Sequence, residues 1–505
     1  MIEQKLTSLS APNQSLRSLV TSGMLWTTFG TLASKVASLG AQLVLGWVLS
    51  REDFALYAIA IAWSTMVLAL RNGGTQRLLI QQGEKYETCA TVFFKIALLF
   101  NGLGFLVLML AAPVLSSLYE SPALSTILWI IALSLPLNTA TMVFQAKLSS
   151  DLNFRQLTQL NIWSAILRHG SMAAFALLGF GPVSFVLPLL VIALFETAGG
   201  WYLVGKWPPN RPLTWPQMRG VLTDTRWIML TTLAGILAMN GDYLAVSLLQ
   251  SKETLGVYYF GFQLTFSIAV LFNNGVEGVM MPTFSRLDND QERQKIAFLK
   301  AVRVLMLGST LACFALFLGA SSLVHGLWGG KWDSAVPVVQ LLALSLPIKM
   351  VMPLCRSLME GRGEWRIVST LLLVDGFGTV IAGGVGAWFG GVVAIAASIS
   401  AYNLAYGLFF CGVITRRIGG QIRATFVPML TTMAFGILAL TSTTLLTYVG
   451  SVDSTNIWQA AMLILAYVGI YLGLTRVFLK DSLAEATNLI LRGVSSMWRP
   501  HRVTN

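Results

Sequence analysis

Charged side chains inside apolar stretches are the residues of this chain best placed to do chemistry. Lys35, Lys95, Arg168 and Glu196 stand in the first half, with His169 beside Arg168. Asp242, Glu277, Lys349 and Asp375 stand in the second half. A charge at the middle of a bilayer costs about 3 kcal/mol on insertion scales, so such a residue faces the protein interior or a wet cavity. The first set carries three positive charges and one negative; the second carries one positive and three negative. The cationic set suits an anionic headgroup such as a diphosphate, because charge-assisted bonds to phosphate are strong in a partly dry site. Lys35, Arg168 and Lys95 are therefore the candidate substrate-binding residues. The acidic set suits a proton or Na+, and Asp242, Asp375, Glu196 and Glu277 are the candidates for ion coupling. The plain alternative is that the opposite charges pair between the halves and lock one conformation. Lys95, Lys349 and Glu277 also lie near span ends, where a long side chain snorkels to the interface.

Bond-making chemistry finds no support. The cysteines Cys89, Cys313, Cys355 and Cys411 form no CxxC pair and no Cys/His group at metal-ligand spacing, which argues against a metal site or a disulfide framework. No GxxxxGK loop is present, so ATP hydrolysis by this chain is not expected. No cofactor and no catalytic residue is expected.

The elements that position these residues follow from composition. Hydrophobic residues make up 55% of the 505, and only 11% are charged, against about 25% charged in a soluble domain. Fourteen apolar segments succeed one another, approximately 20–50, 54–76, 88–115, 123–146, 159–180, 183–205, 227–250, 254–284, 304–324, 336–355, 367–388, 391–415, 424–450 and 457–478. Each is about long enough to cross a bilayer core. A backbone in lipid must satisfy its own hydrogen bonds, so they should be helices. The longest links are 206–226 and 285–303, both polar and basic. The net charge of +12 is not gathered into a basic domain with interleaved aromatics, which excludes nucleic acid as a partner.

The chain also repeats itself. Trp26, Gly40, Tyr57, Asn72 and Gly74 recur 201 positions later as Trp227, Gly241, Tyr258, Asn273 and Gly275. Ala132 to Pro136 recur 211 positions later as Ala343 to Pro347, the extra residues falling where His325 to Asp333 enlarge a loop. Six segments separate the copies, so both share one orientation, as in transporters built from parallel repeats. Tyr57 and Tyr258 fall near the outer ends of segments 2 and 8, where interfacial aromatics are expected. Gly383-Gly384-Val385-Gly386 reads as a close-packing stretch.

Orientation follows from the positive residues. With the amino terminus cytoplasmic, inner loops, tails and helix ends hold 27 of the 34 lysines and arginines, and outer loops hold only Arg51, Lys252 and Lys331. Both termini are then cytoplasmic. Residues 1–19 show no removable signal peptide pattern, and the tail from Asp481 to Trp498 opens on a capping-box sequence that suits a helix on the inner surface. The expected map is a tail (1–19), a first six-helix lobe (20–205), a linker (206–226), a second six-helix lobe (227–415), helices 13 and 14 (424–478) and a tail (479–505).

Several segments together resemble one family. They are Ser50-Arg51-Glu52-Asp53-Phe54-Ala55-Leu56-Tyr57, Leu255-Gly256-Val257-Tyr258, Met281-Pro282-Thr283-Phe284-Ser285-Arg286-Leu287, and Gly330-Lys331-Trp332-Asp333-Ser334-Ala335-Val336-Pro337. The chain resembles the Wzx-type oligosaccharide flippases, the colanic-acid-exporter-like branch of the multidrug/oligosaccharidyl-lipid/polysaccharide exporter superfamily, over nearly its whole length. That resemblance implies an all-α, V-shaped, two-lobed bundle in the bacterial plasma membrane that alternates between inward-open and outward-open states. It implies transport of polyprenyl-diphosphate-linked oligosaccharide units for surface polysaccharide, with polymerase and chain-length-control proteins as possible partners. Helix 1 carries lysine or apolar residues where related flippases place binding arginines. Three rivals are weighed. A drug/cation antiporter of the same superfamily calls for an acidic cavity in both lobes, which the first half lacks. A membrane-embedded polysaccharide polymerase calls for a large outer catalytic loop, and the largest here is about 325–335. A major-facilitator carrier calls for Asp-Arg-x-Gly-Arg between segments 2 and 3, and Arg71 to Thr88 lacks it.

Overall fold

The computed structural model describes residues 34–68, 79, 86–151, 153–205, 207, 212, 214–287, 290–450, 456–480 and 483–484. The amino-terminal tail, Trp26, Asn72, Gly74, the positive residues Arg71, Arg77 and Lys85, and nearly all of the carboxy-terminal tail lie outside these residues. So do the side chains of Trp227, Asn273 and Glu277.

Among the described residues the fold is all-helical, without a strand. In chain order the helices are α1 (34–48), α2 (Arg51–Leu68), α3 (Tyr86–Leu118), α4 (Pro122–Ser150), α5 (Phe154–Leu177), α6 (Leu187–Val204), α7 (Trp215–Leu249) and α8 (Lys252–Arg286). They continue as α9 (Gln291–Trp328), α10 (Val336–Lys349), α11 (Val351–Gly361), α12 (Trp365–Phe389), α13 (Gly391–Arg417), α14 (Ile422–Gly450) and α15 (Ile457–Phe478). Ten helical stretches of the described residues are long and apolar enough to cross a membrane. The chain is a multi-pass membrane protein.

Two compact units divide it, Met1–Ile236 and Leu237–Asn505. In the first, α3 packs on α4 through Phe93, Ala97, Met142 and Ala146. Buried polar groups there are matched: the Tyr86 hydroxyl donates to the Val143 carbonyl (2.8 Å), and the Asn101 amide donates to Thr139 Oγ1 (2.8 Å). Unmatched, each would lose about 1–3 kcal/mol. In the second unit, Phe260 stacks on Trp332 (4.0 Å between ring centroids, 9°). The last helix is tied to α9 by two buried tyrosines. Tyr467 donates to the Thr310 carbonyl (3.2 Å) and Tyr471 to the Leu307 carbonyl (3.1 Å).

Local chemistry recurs at the sequence offsets. At the start of α2, Ser50 Oγ accepts from Asp53 N (3.1 Å) while Asp53 Oδ2 accepts from Ser50 N (2.8 Å), a reciprocal cap. At the start of α8, 201 positions on, Ser251 Oγ accepts from Thr254 N (3.3 Å). Ser134 on α4 bonds back to the Ile131 carbonyl, and Ser345 on α10, 211 positions on, bonds back to the Leu342 carbonyl. Pro136 and Pro347 follow inside their helices.

Helix limits differ from the apolar segments in two ways. Most of the link 285–303 is helix, because α9 already starts at Gln291, with Asp290 Oδ1 accepting from Arg293 N (3.1 Å). The link 206–226 likewise turns helical at Trp215. Apolarity marks only the lipid-buried part of a helix, whereas the backbone bonds continue into water. The segment 336–355 is broken at Met350 into α10 and α11. Pro353 has no N–H to donate to the Lys349 carbonyl, which frees that carbonyl and permits the break.

Candidate functional site

In the first unit, Lys35 on α1 and His169 on α5 are half-buried, and Arg168 is exposed. The charges of Arg168, next to His169 on α5, and of Lys35 on α1 both act on the His169 ring. Arg168 also acts on Tyr57 of α2. The Tyr57 ring stacks on Phe185 (4.2 Å, 5°), and Phe54 meets Phe185 edge-on (5.2 Å). No carboxylate among the described residues forms an ion pair with Lys35 or Arg168. Lys35 and Arg168 are thus two cations without a carboxylate partner among the described residues. Lys95 stands half-buried on α3, and Glu196 half-buried on α6. Glu196 thus belongs to the first unit, away in the chain from the other acidic candidates.

In the second unit, α7, α8, α12 and α13 position the carboxylates. Asp242 is 1% exposed. Its Oδ2 accepts from the Tyr258 hydroxyl at 2.5 Å, while Oδ1 has no hydrogen-bond partner among the described residues. Asp375 is 5% exposed, and the Tyr402 hydroxyl reaches its Oδ1 (3.2 Å) and its carbonyl (3.1 Å). Helices α7 and α12 approach closely enough to bury both. A Cβ on Gly383 would sit 2.9 Å from the Asp242 Cα, and one on Gly241 2.8 Å from Val380 Cγ2. Only glycine allows that approach, as the run 383–386 suggested. Thr379 lies one turn along α12 from Asp375, is buried, and its Oγ1 also lacks a partner among the described residues. Both atoms are buried polar groups left without a hydrogen-bond partner among the described residues.

One reading changes. Tyr258 is fully buried and serves Asp242; it is not an interfacial aromatic, because its hydroxyl has a carboxylate to satisfy inside the protein. Lys349 is half-buried near the end of α10. It lines a cleft of the second unit. Apolar periodicity carries no sign of either arrangement, since both depend on which helices meet. The positions of Thr379 and Tyr402 were likewise missed. Their only sequence signals are a hydroxyl one turn from Asp375 and a tyrosine one helix later.

Comparisons with known proteins follow this geometry. Residues 44–337 match the model of a family described as polysaccharide biosynthesis protein. The succinoglycan biosynthesis transport protein ExoT of Rhizobium meliloti (strain 1021) is 27% identical over 72% of this chain and 74% of its own. The teichuronic acid biosynthesis protein TuaB of Bacillus subtilis (strain 168) is 21% identical over 84% of this chain and 89% of its own. Among solved structures, the lipid II flippase MurJ in an inward closed conformation is similar with a TM-score of 0.71 at 12% identity, covering 91% of this chain and all of that one. An inward-facing multidrug resistance MATE transporter of the MOP superfamily gives 0.61 at 15% identity over 76% of this chain and 94% of that one. These structures share the fold.

Proposed function

The chain belongs to the polysaccharide biosynthesis protein family, and from that premise we propose that it is a Wzx-type flippase. It carries lipid-linked oligosaccharide units across the bacterial plasma membrane for surface or exopolysaccharide synthesis. The unneutralised basic cluster of Lys35, Arg168 and His169 carries this reading. A polyprenyl diphosphate is a multiply charged anion on an apolar tail, and it needs cations inside a membrane protein if it is to leave one leaflet. Lys35 and Arg168 hold the diphosphate, and Lys95 assists it from α3. Nothing is cleaved or formed on the sugar, so the protein is a transporter and not an enzyme.

The finer architecture belongs to the same reading. Fourteen spans form two parallel six-helix repeats, with a first lobe at 20–205, a linker at 206–226, a second lobe at 227–415 and two added helices at 424–478. Both termini face the cytoplasm. The recurrence of the serine caps at Ser50 and Ser251, and of the serine back-bonds at Ser134 and Ser345, supports the repeat. Asp242 and Asp375 take up a proton or Na+ as the lobes alternate, with Glu277 and Glu196 as lesser candidates. A drug/cation antiporter shares the fold, but a site for organic cations would not leave two basic residues unneutralised in its first unit. Polymerase and chain-length-control proteins are the partners expected downstream.

The test is export in cells carrying Lys35→Ala with Arg168→Ala at normal expression. Loss of surface polysaccharide is the expected result. Unchanged export would remove both residues from the substrate path.

A further inference from the structure

Each buried carboxylate of the second unit has a tyrosine, and the two tyrosines are held differently. Tyr258 is fully buried, with its ring packed by Tyr243 and Phe262. Among the described residues its hydroxyl has one acceptor, Asp242 Oδ2 (2.5 Å). Letting go would strand that hydroxyl in the interior, at the full desolvation cost of a buried donor. Tyr402 is only half-buried. Its hydroxyl lies within reach of three acceptors: Asp375 Oδ1 (3.2 Å), the Asp375 carbonyl (3.1 Å) and the Val374 carbonyl (3.5 Å). A hydroxyl has one proton to donate, and a backbone carbonyl has a second lone pair beside its helical bond. Tyr402 can therefore leave the carboxylate without losing a partner. Its ring lies directly on α12, because a Cβ on Gly378, one turn from Asp375, would collide with it. Behind it stacks Tyr406 (5.5 Å, 12°), itself tied to the Leu371 carbonyl (2.5 Å). Val374 and Phe377 stand exposed on the same stretch of α12, whereas Asp375 is 5% exposed.

We propose that Tyr402 is a movable cover over Asp375, and that Asp375 is the carboxylate that takes up and releases the coupling cation while Asp242 keeps its bond to Tyr258 throughout. In the closed position the Tyr402 hydroxyl bonds the carboxylate and the ring shields it from the surface of the unit. When a cation arrives on Asp375, the hydroxyl passes to the Asp375 or Val374 carbonyl. That is a change of acceptor within one turn of α12, made while Tyr406 still supports the ring. Asp242 cannot change hands in this way, because its tyrosine has no second acceptor among the described residues. One carboxylate thus exchanges its partner at small cost, and the other stays fixed. That an ion is coupled at all rests on the reading given above; the cover does not.

The test uses the full chain in lipid nanodiscs with dicyclohexylcarbodiimide, an apolar reagent that adds to protonated carboxyls, as the probe. Labelling of Asp375 and Asp242 is followed by peptide mass spectrometry at fixed pH, with and without Na+. In the wild type Asp375 is labelled and Asp242 lags by at least about tenfold, the factor that one hydrogen bond to a charged group is worth. Tyr402→Ala, which removes the cover, and Gly378→Ala, which pushes it aside, speed labelling of Asp375 and leave Asp242 slow. Tyr402→Phe keeps the ring but loses the hydroxyl, and it labels faster than the wild type but slower than Tyr402→Ala. A rise at both carboxylates marks lost packing, and Tyr402→Phe, the mildest change, then decides. Asp242 labelled as fast as Asp375 in the wild type overturns the division between the two. An Asp375 rate unchanged in all three variants overturns the cover. Protection of Asp375 by Na+ reads the coupling itself: its absence would remove Na+ from this carboxylate, while the cover would still be measured by the rates.

Discussion

Tyr258→Phe isolates the bond on which the acidic site depends. The substitution removes one oxygen from a residue that is fully buried, and it leaves the ring packed against Tyr243 and Phe262. Asp242 Oδ1 already lacks a partner among the described residues, so losing the 2.5 Å bond to Oδ2 strips the carboxylate of its side-chain donor. A hydrogen bond to a charged group contributes about 1.5–3 kcal/mol, and one between neutral groups about 1 kcal/mol. The expected loss for an ionised Asp242 is about 2 kcal/mol, which is roughly a 30-fold change in the folded-to-unfolded ratio. The assay is a double-mutant cycle of Tyr258→Phe with Asp242→Asn, read by reversible unfolding in detergent. Asn keeps the acceptor but not the charge, so the coupling between the two sites should be about 1–2 kcal/mol. A coupling below about 0.5 kcal/mol, at the noise of additivity, would show that Tyr258 does not hold a charged Asp242, and the cation site would lose its geometry.

Three further outcomes follow from the packing. Gly383→Ala should destabilise by about 1–3 kcal/mol through overpacking against the Asp242 backbone. Gly384→Ala, whose added Cβ would lie 3.8 Å from Ala245 Cβ, should be neutral or slightly stabilising; equal thermal midpoints for the pair would contradict the close crossing of α7 and α12. Tyr471→Phe should cost about 1 kcal/mol by removing the bond to the Leu307 carbonyl, and an unchanged midpoint would mean that α15 is not tied to α9. His325→Ala breaks a pair with Asp333 (2.9 Å) that is about half exposed, so stability should move by less than about 1 kcal/mol; a larger loss would make the turn between α9 and α10 a structural element.

The helical, membrane-spanning nature of the chain was legible in its sequence, because lipid imposes apolar spans of one length on every helix that crosses it. Lys35 and Arg168 could be picked out singly, since each interrupts an apolar run, and the fold sets both around His169. Asp242 and Asp375 could be picked out for the same reason. Their neighbours could not. Tyr258 looks like any interfacial tyrosine until α8 is laid beside α7, and Thr379 looks like any helix residue. That Lys349 lines a cleft with residues of α8 and α13 depends on which helices meet, and apolarity does not record it. The break at Met350 was hidden because proline at 353 removes a hydrogen bond without altering apolarity. The full length of α9 was hidden because its first turns are charged and lie beyond the apolar stretch.

Transport of a lipid-linked oligosaccharide is tested most directly in cells lacking this protein, by sorting the lipid-linked glycan by leaflet. Single repeat units should accumulate on the inner leaflet while surface polysaccharide is lost, and the wild-type chain should restore both. Accumulation on the outer leaflet would place the defect after translocation and contradict a flippase.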